Sequence, residues 1–125
     1  MNDRERSAII TKYLAEVKAK FQTGQALEHA YRPALAKLME SFPDTRAINE
    51  PKRSQHGAPD FVFQKKSNPR ILQGYAEAKD LDVNLDKVEK TEQMDRYRGY
   101  SNLILTNYLE FRFFRNGEKY RTISI

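Results

Sequence analysis

The chain has 125 residues and no cysteine, and its 22 Lys and Arg against 17 Asp and Glu give a formal net charge of +5. We expect one domain over residues 1–125, because a chain of this length buries about two-thirds of its unfolded surface. The lack of cysteine excludes disulfides and thiolate metal sites, and only His29 and His56 could supply nitrogen ligands to zinc. No segment is apolar over about 18 residues, so we predict a cytoplasmic protein without a membrane partner.

The positive charge is unevenly distributed. Residues 1–56 carry ten basic and seven acidic side chains, residues 101–125 carry four and two, and residues 57–100 carry eight of each. Basic flanks around a centre in which acidic and basic side chains balance suit an enzyme that binds phosphates around a metal site. An ordinary solvated surface is the alternative explanation.

Helical spacing of apolar residues predicts a first helix over residues 4–22, which ends at Gly24. A second helix is predicted from Gln25 to Met39, and Pro33 should kink it or split it in two. A third is predicted over residues 86–98, with Asp86 as its N-cap and Glu89 three residues later, as in a capping box.

Six strands are predicted, at residues 46–50, 60–64, 71–79, 102–106, 108–115 and 118–125. Asn116-Gly117 between the last two is the strongest signal for a two-residue hairpin. The segment from residue 71 to residue 106 forms a βαβ unit, whose strands should be parallel. We therefore expect a mixed sheet with helices on both faces, an α/β fold, or α+β by some conventions.

Pro59-Asp60 and Glu77-Ala78-Lys79 lie on two strands that should be neighbours. Alternation along a strand places Glu77 and Lys79 on one face. Two carboxylates that meet beside a lysine are what a Mg²⁺-dependent phosphodiesterase needs, with Mn²⁺ as an expected substitute. The spacing alone is common, and a strand-end Asp, a surface Glu and an exposed Lys are the alternative interpretation.

In this order of elements, the two motifs resemble those of the PD-(D/E)XK, or restriction-endonuclease-like, nuclease superfamily. A more specific resemblance covers nearly all of the chain. Asn49-Glu50-Pro51-Lys52-Arg53 and Gly57-Ala58-Pro59-Asp60-Phe61 look like the N-terminal nuclease region of type IIG and related type I single-polypeptide restriction-modification enzymes. The same holds for residues 24–35, 85–90, 93–97 and 102–111.

The resemblance implies a Mg²⁺-dependent DNA endonuclease and further site residues. It adds the backbone carbonyl of Ala78 as a metal ligand and Glu28 as a catalytic, metal-assisting acid. Gln93 and Tyr97 match a motif that positions the metal site or the DNA. Glu28 could instead form a surface pair with Arg32 four residues later, and Gln93 and Tyr97 could be an amphipathic pair.

Partners follow from the same resemblance. DNA is the expected substrate, and Lys52, Arg53, Lys65 and Lys66 are candidate phosphate contacts, although each could simply be solvated. The chain lacks a methylation motif, so we expect it to be the nuclease part of a larger protein, with methyltransferase and target-recognition regions in cis or in trans. A transient dimer could cut both strands.

Two rival functions stay open: a catalytically silent interaction module, and a nuclease for DNA ends, junctions or RNA. If Glu28, Asp60 and Glu77 converge, like charges should strain the metal-free site. Asp60→Ala would then leave stability unchanged or raise it.

Overall fold

A six-stranded sheet forms the centre of the computed structural model, which describes residues 2–125. The strands are β1 Thr45–Asn49, β2 Phe61–Lys65, β3 Leu72–Ala78, β4 Asn102–Thr106, β5 Glu110–Arg115 and β6 Glu118–Ser124. They lie in chain order across the sheet, β3 and β4 are parallel, and every other neighbouring pair is antiparallel. The predicted mixed sheet and its parallel crossover are confirmed.

The N-terminal helical region departs from the prediction in its second half. α1 spans Asp3–Phe21, and the side chain of Asn2 accepts a hydrogen bond from the backbone N–H of Glu5 at 2.8 Å, which caps the helix. A single 3₁₀ helix, Glu28–Tyr31, then leads into α2, Arg32–Glu40. The predicted start near Gln25 is wrong, because Pro33 sits in the first turn of α2, where its missing N–H leaves no helical bond unmade.

The predicted helix over residues 86–98 is two short helices, α3 Leu85–Val88 and α4 Glu92–Tyr97. Asn84, not Asp86, caps α3, since its side chain accepts from the backbone N–H of Asp86. Thr91 starts the second helix by accepting from the N–H of Met94 at 3.2 Å. The predicted capping box is therefore wrong, and the helical segment is interrupted before Thr91.

The sheet has a hydrophobic cluster on each face. Tyr13, Leu35 and Phe61 belong to the cluster under α1 and α2. Leu103 and Leu105 belong to the cluster under α3 and α4, whereas Ile104 between them faces the first cluster. This alternation confirms that helices cover both faces.

The hairpin between β5 and β6 turns at Asn116-Gly117, with φ angles of 49° and 83°. Positive φ at both positions is typical of a type I′ turn, as the sequence predicts. Among residues 2–125, no helix combines the length and the apolar character that crossing a membrane requires.

Candidate functional site

The candidate site lies at the end of β3, where alternation separates acidic from apolar side chains. Ala76 and Ala78 pack in the cluster under α1 and α2. Glu77 and Lys79 project from the other face, and Lys79 Nζ lies 3.2 Å from Glu77 Oε2. The strand therefore brings a carboxylate and an ammonium together, as its alternation predicts.

Asp60 reaches the same place from β2. Because Phe61 pairs with Ala76 in the antiparallel register, the residue before β2 lies beside Glu77. The backbone N–H of Asp60 donates to Glu77 Oε1 at 3.2 Å, and the N–H of Ala78 donates to Asp60 Oδ2 at 2.8 Å. The structure thus places Asp60, Glu77 and Lys79 in one cluster.

Glu77 is the more deeply buried acid of this cluster, with a side chain that is 8% exposed against 15% for Asp60. Burial first and the nearby charge of Asp60 second raise its pKa to about 7, and the Lys79 ammonium partly offsets both effects. A second cation beside this buried carboxylate would stabilise its charged form.

Helix α4 contributes two further residues. Gln93 Oε1 accepts a hydrogen bond from Lys79 Nζ at 3.2 Å, so the structure brings Gln93 into the cluster. Tyr97 lies close enough that Glu77 and Asp60 add to the effect of burial, which together raise its pKa to about 12. The Tyr97 residue is only 3% exposed and offers DNA almost no surface in this conformation.

Arg32 is a member of the site that the sequence reasoning missed. Its Nη2 donates to Asp60 Oδ1 at 2.5 Å, and its Nη1 donates to Asn49 Oδ1 and Glu50 Oε1, both at 3.2 Å. The side chain is 7% exposed. The apolar neighbours Tyr31 and Leu35 were a signal that this part of α2 is buried, but their spacing does not reveal a charged residue beside them.

Glu28 does not join the other two acids, contrary to the prediction of three converging carboxylates. It lies on the 3₁₀ helix, where its carboxylate faces His29 Nε2 at 3.6 Å. Its backbone carbonyl accepts from the hydroxyl of Tyr108 at 2.5 Å, which fixes this turn. The alternative interpretation, a surface pair with Arg32, is also absent from residues 2–125, because Arg32 pairs with Asp60 and Glu50.

The cluster fits a small divalent cation of the oxygen-binding type. Within the described chain, no three Asp, Glu or His side chains lie close enough together to hold a metal. Mg²⁺, however, is commonly held by one or two carboxylates, with water and phosphate oxygens completing the shell. Asp60, Glu77 and the carbonyl of Ala78 could supply that partial set.

The candidate phosphate contacts fall into two groups. Lys52 and Arg53 are exposed in the segment between β1 and β2 that leads to Asp60. Lys65 and Lys66 are exposed at the opposite end of β2. Five residues of extended strand separate Lys65 from Asp60, or about 16 Å. The structure therefore leaves the second pair outside the cluster.

Comparisons with known proteins find a likeness in structure. No family model matches the chain, and a search of curated proteins found no match. Among solved structures, a chain of the cryo-EM structure of a DrdV–DNA complex is similar, with a TM-score of 0.77 and 18% identity. The match covers 94% of this chain and 85% of that chain. This likeness and the mixed sheet with helices on both faces are consistent with a restriction-endonuclease-like fold.

Proposed function

We propose that this chain is a Mg²⁺-dependent DNA endonuclease domain that hydrolyses phosphodiester bonds. The observation that carries the proposal is the meeting of Asp60, Glu77 and Lys79 at the adjoining ends of two paired strands. The structurally similar chain comes from a complex with DNA, which supports DNA as the substrate.

The chain's own residues have distinct roles in this proposal. Asp60, Glu77 and the carbonyl of Ala78 would hold the cation, and Asp60 is fixed by the N–H of Ala78. Bound Mg²⁺ would acidify a water and offset charge on the phosphate. Lys79, oriented by Glu77 and Gln93 at 3.2 Å each, orients the attacking water and stabilises negative charge on the phosphate.

DNA contacts outside the cluster come from the segment before β2. Lys52 and Arg53 are exposed on the chain that leads into Asp60, so they can neutralise flanking phosphates. Base recognition is assigned to methyltransferase and target-recognition regions in cis or in trans. A second copy would cut the second strand.

Plasmid nicking tests the proposal. Supercoiled DNA is incubated with Mg²⁺ or Mn²⁺, with EDTA, and with Asp60→Asn or Lys79→Met, while Glu118→Gln on the exposed β6 is the matched control. We expect ion-dependent nicking by the wild type and the control, and loss of at least about 100-fold in both site variants. Equal activity in the site variants would contradict the proposal, and so would an inactive wild type.

The phosphate contacts need a separate measurement. Replacing Lys52 and Arg53 by Ala should weaken binding to DNA of any sequence and reduce the slope of log affinity against log salt by about 2. The same change at Lys65 and Lys66 is the matched control and should leave the slope near its wild-type value. Equal effects of the two pairs would contradict the assignment.

A further inference from the structure

Arg32 is a buried cation at the carboxylate to which the proposed function assigns a metal. Its guanidinium contacts Asp60, Asn49 and Glu50, and its side chain is 7% exposed. Its Nε is also buried, and no hydrogen-bond partner for it is found among residues 2–125. A buried arginine with one nitrogen unmatched depends strongly on the acceptors it does have.

Both oxygens of Asp60 are already engaged. Oδ1 accepts from Arg32 at 2.5 Å, and Oδ2 accepts from the N–H of Ala78 at 2.8 Å. The carboxylate is therefore fixed in orientation and its charge is offset by the guanidinium. A divalent ion that binds Asp60 must either share it with Arg32 or displace the guanidinium, and two cations on one carboxylate repel each other.

Glu50 offers Arg32 a second carboxylate. Its backbone φ is +53°, a left-handed conformation that is uncommon for a glutamate. Its N–H donates to the carbonyl of Asp60 at 2.8 Å, which ties the strained residue to the start of β2. The Glu50 carboxylate lies 3.2 Å from Arg32 Nη1. Backbone strain that persists beside a site is a reason to look for a role there.

We infer that Arg32 is a positioning residue that acts as the resident counter-ion of Asp60 and keeps the metal affinity of the DNA-free protein low. The inference rests on the proposed function, because it assumes that Asp60 binds the cation. When the metal binds, Arg32 keeps Asn49 and Glu50 as its acceptors. The site then fills readily only when a DNA phosphate supplies further negative charge.

The test measures Mn²⁺ binding to DNA-free protein by electron paramagnetic resonance, independently of cleavage. Arg32→Gln removes the charge and should lower the dissociation constant on the order of tenfold or more. Arg32→Lys keeps the charge and should stay within about threefold of the wild type. A purely structural role for Arg32 would predict unchanged or weaker binding in both variants, and that result would overturn the inference.

A second variant, for which the expected change in Mn²⁺ affinity is in the opposite direction, tests the inference if Arg32→Gln does not fold. Glu50 has a side chain that is 73% exposed, so Glu50→Gln should fold. It leaves Arg32 more dependent on Asp60 and should weaken Mn²⁺ binding, whereas the exposed control Glu118→Gln should not. Unchanged binding in Glu50→Gln would overturn the inference while leaving the proposed function intact. Absence of Mn²⁺ binding in every variant, Arg32→Gln included, would instead refute the proposed function and this inference together.

Discussion

The buried carboxylate of Glu77 should make the stability of the metal-free protein depend on pH in a defined direction. Its pKa is raised from 4.5 to about 7 by burial first and by Asp60 second. Between these values the folded state binds more protons than the unfolded state, so stability falls as pH rises. The loss of stability that comes from ionising Glu77 in the folded state is absent below pH 4.5 and complete above about pH 7.

The size of this effect follows from the two pKa values. A difference of about 2.5, at about 1.4 kcal/mol for each pKa unit, corresponds to about 3 kcal/mol. Glu77→Gln keeps the shape of the side chain and an acceptor for Lys79, but it removes the charge. The variant should therefore gain about 3 kcal/mol relative to the wild type between pH 4.5 and pH 8.

Urea denaturation in EDTA at pH 4.5, 6 and 8 measures the difference directly. Glu118→Gln is the control, because that glutamate is exposed on β6 and its change should not alter the pH profile. If the difference between Glu77→Gln and the wild type were the same at all three pH values, the account of Glu77 as a strained, buried carboxylate would be refuted.

Three further predictions concern stability, each measured by chemical denaturation. Asp60→Ala should cost about 3 to 5 kcal/mol because it leaves the Arg32 guanidinium buried without its main partner, and a loss below 1 kcal/mol would be inconsistent with this. Gly99→Ala should cost no more than about 1 kcal/mol because its Cβ would overlap the half-buried imidazole of His56, which can shift, and His56→Ala should remove that cost; a loss above about 2 kcal/mol would contradict this. Tyr108→Phe should cost about 1 kcal/mol by removing the hydrogen bond to the 3₁₀ helix, and an unchanged midpoint would argue against that bond.

The prediction for Asp60→Ala reverses the one made from the sequence. Sequence patterns place Asp60 and Glu77 on neighbouring strands, and converging acids alone would make removal of one of them neutral or stabilising. The structure adds Arg32, which pairs with Asp60 at 2.5 Å and converts the aspartate into the partner of a buried cation. Long-range partners of this kind have no periodic signature in the chain.

Strand positions could be predicted from the sequence because they depend on local alternation and turn residues. β4 was predicted with its observed bounds, Asn102–Thr106, and β2 was displaced by only one residue. The hairpin at Asn116-Gly117 requires positive φ at two successive positions, which few other residue pairs tolerate. These features do not require knowledge of distant contacts.

Helix boundaries were less predictable because competing caps decide them. Asp86 and Thr91 are both acceptable N-caps by type, and the structure uses Thr91 and Asn84 instead of Asp86. The position of the α2 boundary also explains why Glu28 does not pair with Arg32. A spacing of four residues to Arg32 indicates a pair only on a continuous α-helix, and the 3₁₀ turn before α2 changes the angle between the two side chains.

Anomalous diffraction from crystals soaked with Mn²⁺ tests the central claim most directly, because it locates the cation without requiring turnover. The account predicts a peak about 2.1 Å from one oxygen of Asp60 and one of Glu77, which is lost in Asp60→Asn crystals. A Mn²⁺ peak at other residues, or none at this cluster at millimolar concentration in both wild-type and Arg32→Gln crystals, would contradict the assignment of a metal-dependent nuclease site.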